Sequence, residues 1–276
     1  EMKGDTIPMG PERINMTLRE PLGVVARILA FNHPLMFCGG KMGAPLAAGN
    51  AVIIKPPVQA PLSALRLAEL IDGLLPKGVF TVLPGGTEAG AALASHKGID
   101  KVTLIGSVGA GRAVMRAASD TLKPVLLELG GKNALIAYPD SDPDKVANAI
   151  VAGMNFSWCG QSCGSTSRAF LHDDLHDAVV ERLEADVSRF KPGMPTDPAT
   201  TMGALVGREH FDRVMGYIAS GKEEGARVVT GGNAVTEGAM ADGCFVEPTI
   251  FADVTPDMRV AREEIFGPVL VLRRWS

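Results

Sequence analysis

Cysteine is scarce. In 276 residues there are four, Cys38, Cys159, Cys163 and Cys244. Their irregular spacing does not read as the framework that staples small exported domains, so free thiols in a reducing compartment are expected. An excess of charge of one sign is lacking too. At a formal net charge of −4 the chain has no basic surplus for nucleic acid or an anionic membrane surface, and neither is expected as a partner. No apolar run reaches the length of a membrane-spanning helix, and the acidic, proline-containing start does not read as a signal peptide. Cytoplasm is the expected location. Internal repeats and low-complexity stretches are missing as well. What remains is a chain 46% hydrophobic and 21% charged, able to bury a large core as one big domain or two ordinary ones.

Short apolar runs rich in branched residues alternate with helical patterns. Val24–Ala30, Ala51–Ile54, Val79–Leu83, Lys101–Ile105 and Val125–Leu127 read as buried strands, separated by helices over Gly40–Ala48, Pro61–Leu75, Glu88–Ser95 and Gly109–Ala118. Such alternation implies right-handed crossovers and a doubly wound parallel sheet, an α/β fold. The Gly130-Gly131 pair punctuates the series and marks the expected domain boundary. A second α/β set follows, with strands at Ala134–Tyr138, Ser167–Leu171, Arg227–Thr230, Val246–Phe251 and Val269–Leu272. Helices over Pro143–Asn155, Leu175–Phe190 and Arg208–Glu224 separate these, with Pro192–Thr200 as a surface connection. Ahead of everything, Thr6–Met9 and Arg13–Arg19 predict a two-stranded arm whose second strand alternates polar and apolar side chains, as a half-exposed strand does.

Several groups carry chemistry. Cys163 lies in Gly-Gln-Ser-Cys-Gly-Ser-Thr-Ser-Arg, a small, polar setting. A packing cysteine prefers apolar neighbours, whereas a reactive one needs backbone donors and room for a substrate. Gly106-Ser107-Val108-Gly109-Ala110-Gly111 follows a strand and opens a helix, where backbone N–H groups favour phosphate, although the same pattern serves an ordinary strand-to-helix turn. Lys55, at a strand end, can bond cofactor hydroxyls or simply be solvated. The Asn32 amide could face a developing oxyanion, or stabilise the turn before Pro34. Glu128, at a strand end among apolar neighbours, could have a raised pKa and act as a general base, or anchor the interdomain turn. One of Glu263 and Glu264 could bind ribose hydroxyls, or both could be surface residues. The run His172, Asp173, Asp174, His176, Asp177 is tempting as a metal site. It reads better as a solvated helix start with acids at the positive end of the dipole.

Taken in order, Pro21-Leu22-Gly23-Val24-Val25, Asn32-His33-Pro34, Lys55-Pro56, Gly106-Ser107 with Gly111, Glu128-Leu129-Gly130-Gly131-Lys132, Gly160-Gln161-Ser162-Cys163 and Glu264-Ile265-Phe266-Gly267-Pro268 resemble the aldehyde dehydrogenase superfamily over essentially all 276 residues. The resemblance implies a Rossmann-like cofactor domain at residues 21–130, a catalytic domain at 131–276 and an oligomerisation arm at 1–20. It implies Cys163 as the nucleophile forming a thiohemiacetal and then a thioester, Asn32 as an oxyanion donor, and Glu128 as the base for hydrolysis. Cys159, four residues earlier, is the weaker nucleophile candidate. The cofactor is implied to be NAD or NADP, with NAD slightly ahead. Its binding residues would be Phe31, Lys55, Gly106, Ser107, Gly111, Leu129, Glu264 and Phe266. Val58 stands where many NAD-using members place a glutamate, which leaves NADP open. Beside a typical member the chain is short, so parts of both domains are expected to be absent. The alternatives are then an inactive nucleotide-binding fragment or, further off, a cysteine hydrolase; the full-length form is expected to be a homo-oligomer acting on a small aldehyde.

Overall fold

The structure, a computed structural model, describes residues 3–276. At its start β1 (Thr6–Pro8) pairs antiparallel with β2 (Ile14–Met16) around Gly10, whose φ of 91° suits glycine. Both strands are exposed throughout, not half-exposed as the alternation predicts. A two-stranded ribbon has no further layer of its own on which to bury an apolar face.

The chain forms two compact units that divide between Leu129 and Gly130. Unit 1 continues with β3 (Val24–Ile28), α1 (Pro34–Gly39), α2 (Gly43–Ala47), β4 (Ala51–Lys55), α3 (Leu62–Ile71) and β5 (Phe80–Val82). It closes with α4 (Thr87–Ser95), β6 (Lys101–Gly106), α5 (Val108–Ser119) and β7 (Val125–Leu129). The sheet is entirely parallel, in the order β5-β4-β3-β6-β7. Alternate residues feed its two faces: Ala26, Ile28, Val102 and Leu104 enter one core, while Leu29, Val52, Ile54 and Ile105 enter the other. Each such Val, Leu or Ile side chain stabilises the fold by roughly 1.5–3 kcal/mol.

The structure departs from the sequence reading in two respects here. The helix expected over Gly40–Ala48 is only α2, Gly43–Ala47, with Pro45 in its first turn where a missing N–H is tolerated, and α1 forms over Pro34–Gly39 where no helix was expected. The outer strands are not buried through. In β7, Val125, Leu127 and Leu129 pack inward while Leu126 and Glu128 are exposed, and in β5 Thr81 is exposed.

Unit 2 comprises β8 (Ala134–Ala137), α6 (Pro143–Met154), β9 (Arg168–His172), α7 (Asp173–Val187), α8 (Arg208–Glu223), β10 (Arg227–Thr230), β11 (Thr249–Ala252), α9 (Arg259–Arg262) and β12 (Val269–Trp275). Its order is β10-β11-β12-β9-β8, parallel except for β10. Residues of α6 and α7 share a core with Ala169, Leu171, Leu270 and Leu272, and residues of α8 and α9 share another with Phe251, Val269 and Val271. The doubly wound α/β class stands. Among the described residues, no helix is long and apolar enough to cross a membrane.

Candidate active site

In unit 1 the chain builds β3 first and returns to its other side as β6, so the strand order reverses between them. Ligands of open parallel sheets bind at such a reversal, beyond the carboxyl ends of the strands. Asn32, Lys55, Gly106 and Glu128 all lie at those ends. Asn32 is half-buried, and its amide makes no hydrogen bond among the described residues. Phe31, beside it, is half-buried too.

Lys55 is not solvated. It is buried, its Nζ donates to the carbonyls of Pro56 at 2.9 Å and Gly85 at 2.7 Å, and burial pushes its pKa down. An ammonium has three hydrogens, and one remains for a ligand hydroxyl. Gly106 ends β6 and Ser107 caps α5, its Oγ accepting from the Ala110 N–H at 3.2 Å. The Gly111 N–H bonds the Ser107 carbonyl, while those of Val108 and Gly109 have no acceptor among the described residues. These two donors at a helix N-terminus fit a phosphate. At Gly111 a Cβ would lie 3.0 Å from Leu129 Cδ2, so the glycine lets α5 settle against β7, and the Leu129 side chain is the packing partner.

Glu128 corrects the expectation of apolar shielding. Its side chain is 54% exposed, with Lys41 Nζ 3.7 Å from Oε1. It lies on the outward side of an edge strand, which explains the exposure. Val58, past the end of β4, is exposed.

In unit 2, Asn155, Cys159 and Gly160 have positive φ values of 57°, 56° and 64°, which wind the chain from α6 into the Cys163 loop. A Cβ at Gly160 would meet the Gly267 carbonyl oxygen at 2.1 Å. Gln161 Oε1 accepts from the Val206 N–H at 3.0 Å. Cys163 itself is exposed. Cys159 is buried, its Sγ donates to the Gly203 carbonyl at 3.1 Å, and burial pushes its pKa up to about 12. A thiol held neutral in this way is a poor nucleophile.

The two glutamates before β12 separate. Glu263 accepts from Tyr217 Oη at 2.8 Å and Arg259 Nε at 3.1 Å, bonds that lower its pKa. Glu264 instead faces the glycine pair: Oε1 accepts from the Gly131 N–H at 3.2 Å, and a Cβ on Gly130 would stand 2.0 Å from Oε2. Phe266 takes a φ of 59°, unusual for a bulky residue. From α8, Arg213 donates to the Glu264 carbonyl at 2.9 Å, and His210 Nε2 lies 2.7 Å from the Phe266 carbonyl. Lys132 has a buried amine without a hydrogen-bond partner among the described residues. Burial, helped by Arg168 and opposed by Glu264, pushes its pKa down to about 8.

His172 caps α7, accepting from the Asp174 N–H at 3.3 Å, which agrees with a helix start. His176 is fully buried, however, which corrects the reading of the whole run as solvated. Positions 176, 179, 183 and 187 follow helical spacing, and Val179, Leu183 and Val187 are buried with it. Sequence reasoning assigned nothing to Lys41, Lys132, Asn133, His210 or Arg213. Of these only Lys132 lies in a recognised motif, where it was given no role; the partners of the others are distant in the chain.

The sequence model of the aldehyde dehydrogenase family matches residues 1–276. Aldehyde dehydrogenase tropH of Talaromyces stipitatus is 56% identical over 283 residues, covering 100% of this chain and 55% of the relative. The chain thus spans about half the length of that protein. Among solved structures, an NAD+ complex of aldehyde dehydrogenase from Bacillus cereus is 40% identical with a TM-score of 0.94, covering 100% of this chain and 56% of that one. 3,6-Anhydro-L-galactose dehydrogenase in complex with NAP is 34% identical with a TM-score of 0.93, covering 100% and 58%. With the whole described chain matched in sequence and fold, this protein belongs to the aldehyde dehydrogenase family.

Proposed function

We propose that this chain carries the chemical groups for oxidising an aldehyde to a carboxylic acid with NAD or NADP. The observation that carries the reading is the contrast between two nearby thiols. Cys163 is exposed in a loop entered through three positive-φ residues, and Cys159 is buried and bonded to Gly203.

In this reading the Cys163 thiolate adds to the aldehyde carbon. The carbonyl oxygen becomes an alkoxide that the Asn32 amide and the Cys163 N–H stabilise, both being donors without an internal acceptor among the described residues. A bound nicotinamide supplies the acceptor for the hydride that the resulting thiohemiacetal loses. Glu128 then takes a proton from water as that water attacks the thioester, and the Cys163 thiolate leaves as the acid forms. Lys41 is the cation beside the Glu128 carboxylate. Gly106, Ser107 and the Val108 and Gly109 N–H groups would hold the pyrophosphate, and Lys55 a ribose hydroxyl. Phe31, Leu129, Glu264 and Phe266 would seat the nicotinamide end. Residues 21–130 would be the cofactor domain, carrying Asn32 and Glu128 as well, and residues 131–276 the catalytic domain, carrying Glu264 and Phe266 as well; residues 1–20 would serve association.

The test is a panel of aldehydes with NAD and with NADP on the chain as given, its Cys163→Ala form and its Cys159→Ala form. Formation of reduced cofactor should vanish in Cys163→Ala and largely survive in Cys159→Ala. Equal loss in both would overturn the assignment. Nucleotide binding without turnover in the parent would favour a nucleotide-binding portion, a reading that the 55% coverage of tropH keeps open.

A further inference from the structure

We propose that Asn133 is a positioning residue for Cys163, fixing the Cys163–Gly164 peptide relative to Glu264; this rests on the dehydrogenase reading above. Strands β12, β9 and β8 lie side by side and parallel. The segments that lead into them, ending in Gly267-Pro268, Ser167 and Asn133, therefore meet at one edge of the unit 2 sheet. Asn133 Nδ2 donates to the Cys163 carbonyl at 2.7 Å and to the Ser165 carbonyl at 3.4 Å. Two carbonyl acceptors identify that end of the side chain as the NH2 group. Two residues earlier, the Gly131 N–H donates to Glu264. One short stretch thus grips the nucleophile loop with one residue and the glutamate with another.

The register of that stretch is not free. Ala134 pairs with Arg168, so the path from Cys163 to Arg168, across the ladder to Ala134 and back through Asn133 closes a small ring. Small closed rings have few conformations left to them. Ahead of Cys163 the loop is held by Gly160 against Gly267 and by Gln161 on Val206. The Asn133 amide makes the only hydrogen bond to Cys163 itself among the described residues. With the carbonyl fixed, the Cα that carries the thiol is fixed, and the Cys163 N–H stays available for the alkoxide.

The test compares the chain with its Asn133→Ala and Asn133→Asp forms; the second keeps the shape but sets acceptors against two carbonyl oxygens. Three quantities are read: amide hydrogen exchange, NAD and NADP affinity, and kcat and KM with an aldehyde. In both variants, exchange at Gly164, Ser165 and Thr166 should rise roughly tenfold or more, while β9, β12 and α6 keep their protection. kcat should fall about 10- to 100-fold with nucleotide Kd unchanged, as expected of a misplaced reacting group. Unchanged exchange, a rise spread evenly over unit 2, a local rise with kcat unaltered, or general unfolding of both variants would each overturn the proposal. If the parent chain forms no reduced cofactor, the dehydrogenase reading falls, while the exchange data still decide whether Asn133 holds the loop.

Discussion

The two thiols near the centre of the chain differ in surroundings more than in sequence, and that difference makes a pH prediction. In an unfolded chain a cysteine ionises near about 8.5, whereas burial holds the Cys159 thiol neutral up to about 12. A raised folded-state value means that the contribution of this thiol to stability is complete below about 8.5 and is lost as pH rises toward 12. Lys132, with its value lowered to about 8, acts in the opposite sense over part of that window. The comparison of the parent with Cys159→Ala removes the lysine's share. Urea unfolding at pH 8 and pH 10 should show stability falling with pH more steeply in the parent, by up to about 1.4 kcal/mol per pH unit. Parallel profiles would show that Cys159 is not held neutral. Val58 makes a second residue-scale prediction. An exposed apolar side chain repels no phosphate, so NAD and NADP should be used with modest discrimination, and Val58→Glu should shift preference toward NAD by roughly 1–3 kcal/mol. A strong NAD preference in the parent, measured as a kcat/KM ratio, would count against it. At this scale the sequence reveals groups that lie in contiguous motifs. Asn133, His210 and Arg213 were not legible because their partners are 30, 56 and 51 residues away.

Helices and strands explain how these residues acquire their surroundings. At the β6–α5 junction, Ser107 caps the helix and Gly111 removes the one side chain that would push α5 off Leu129. Gly111→Val should cost about 1–3 kcal/mol through overpacking, and the shifted helix end should weaken nucleotide binding. Gly111→Ala should be milder, since the flexible Leu129 side chain can yield and alanine favours the helix. Denaturant unfolding with nucleotide titration checks both; an unaffected Gly111→Val would show that the close approach is not needed. The parallel sheet of unit 1 was legible because its central strands are continuous branched runs with turn residues between them. Local pattern does not specify which strands sit at an edge, so β7 was read as buried although Leu126 and Glu128 face outward. Pro45 does show in the sequence, and the start of α2 shortly before it could have been read from it. His176 was misread because acidic neighbours masked a helical stripe whose other members are plainly apolar.

For the molecule as a whole, composition indicates size, core and the lack of a basic surplus, but association depends on which apolar groups the fold leaves outside. β8 is the end strand of the unit 2 sheet, with its outer side unpaired among the described residues. Ile136 on β8 is 59% exposed, and Tyr138, just beyond it, is exposed as well. In unit 1 the β1–β2 ribbon exposes Ile14 and Met16, and Leu18 beyond it is exposed too. An open strand edge beside exposed apolar side chains favours pairing with another copy. The net charge of −4 is too small to keep copies apart at physiological ionic strength. The chain should therefore associate, with a mass by light scattering that rises with concentration. Because the contact is apolar and backbone-mediated, added salt should not dissolve it. Ile136→Lys places a charge on the outward side of the edge and should lower the associated fraction, leaving the thermal midpoint within about 0.5 kcal/mol of stability, as for an exposed surface site. A chain that remains monomeric at every concentration would remove the basis for an edge-mediated oligomer. If Ile136→Lys leaves association unchanged, the contact does not run through β8.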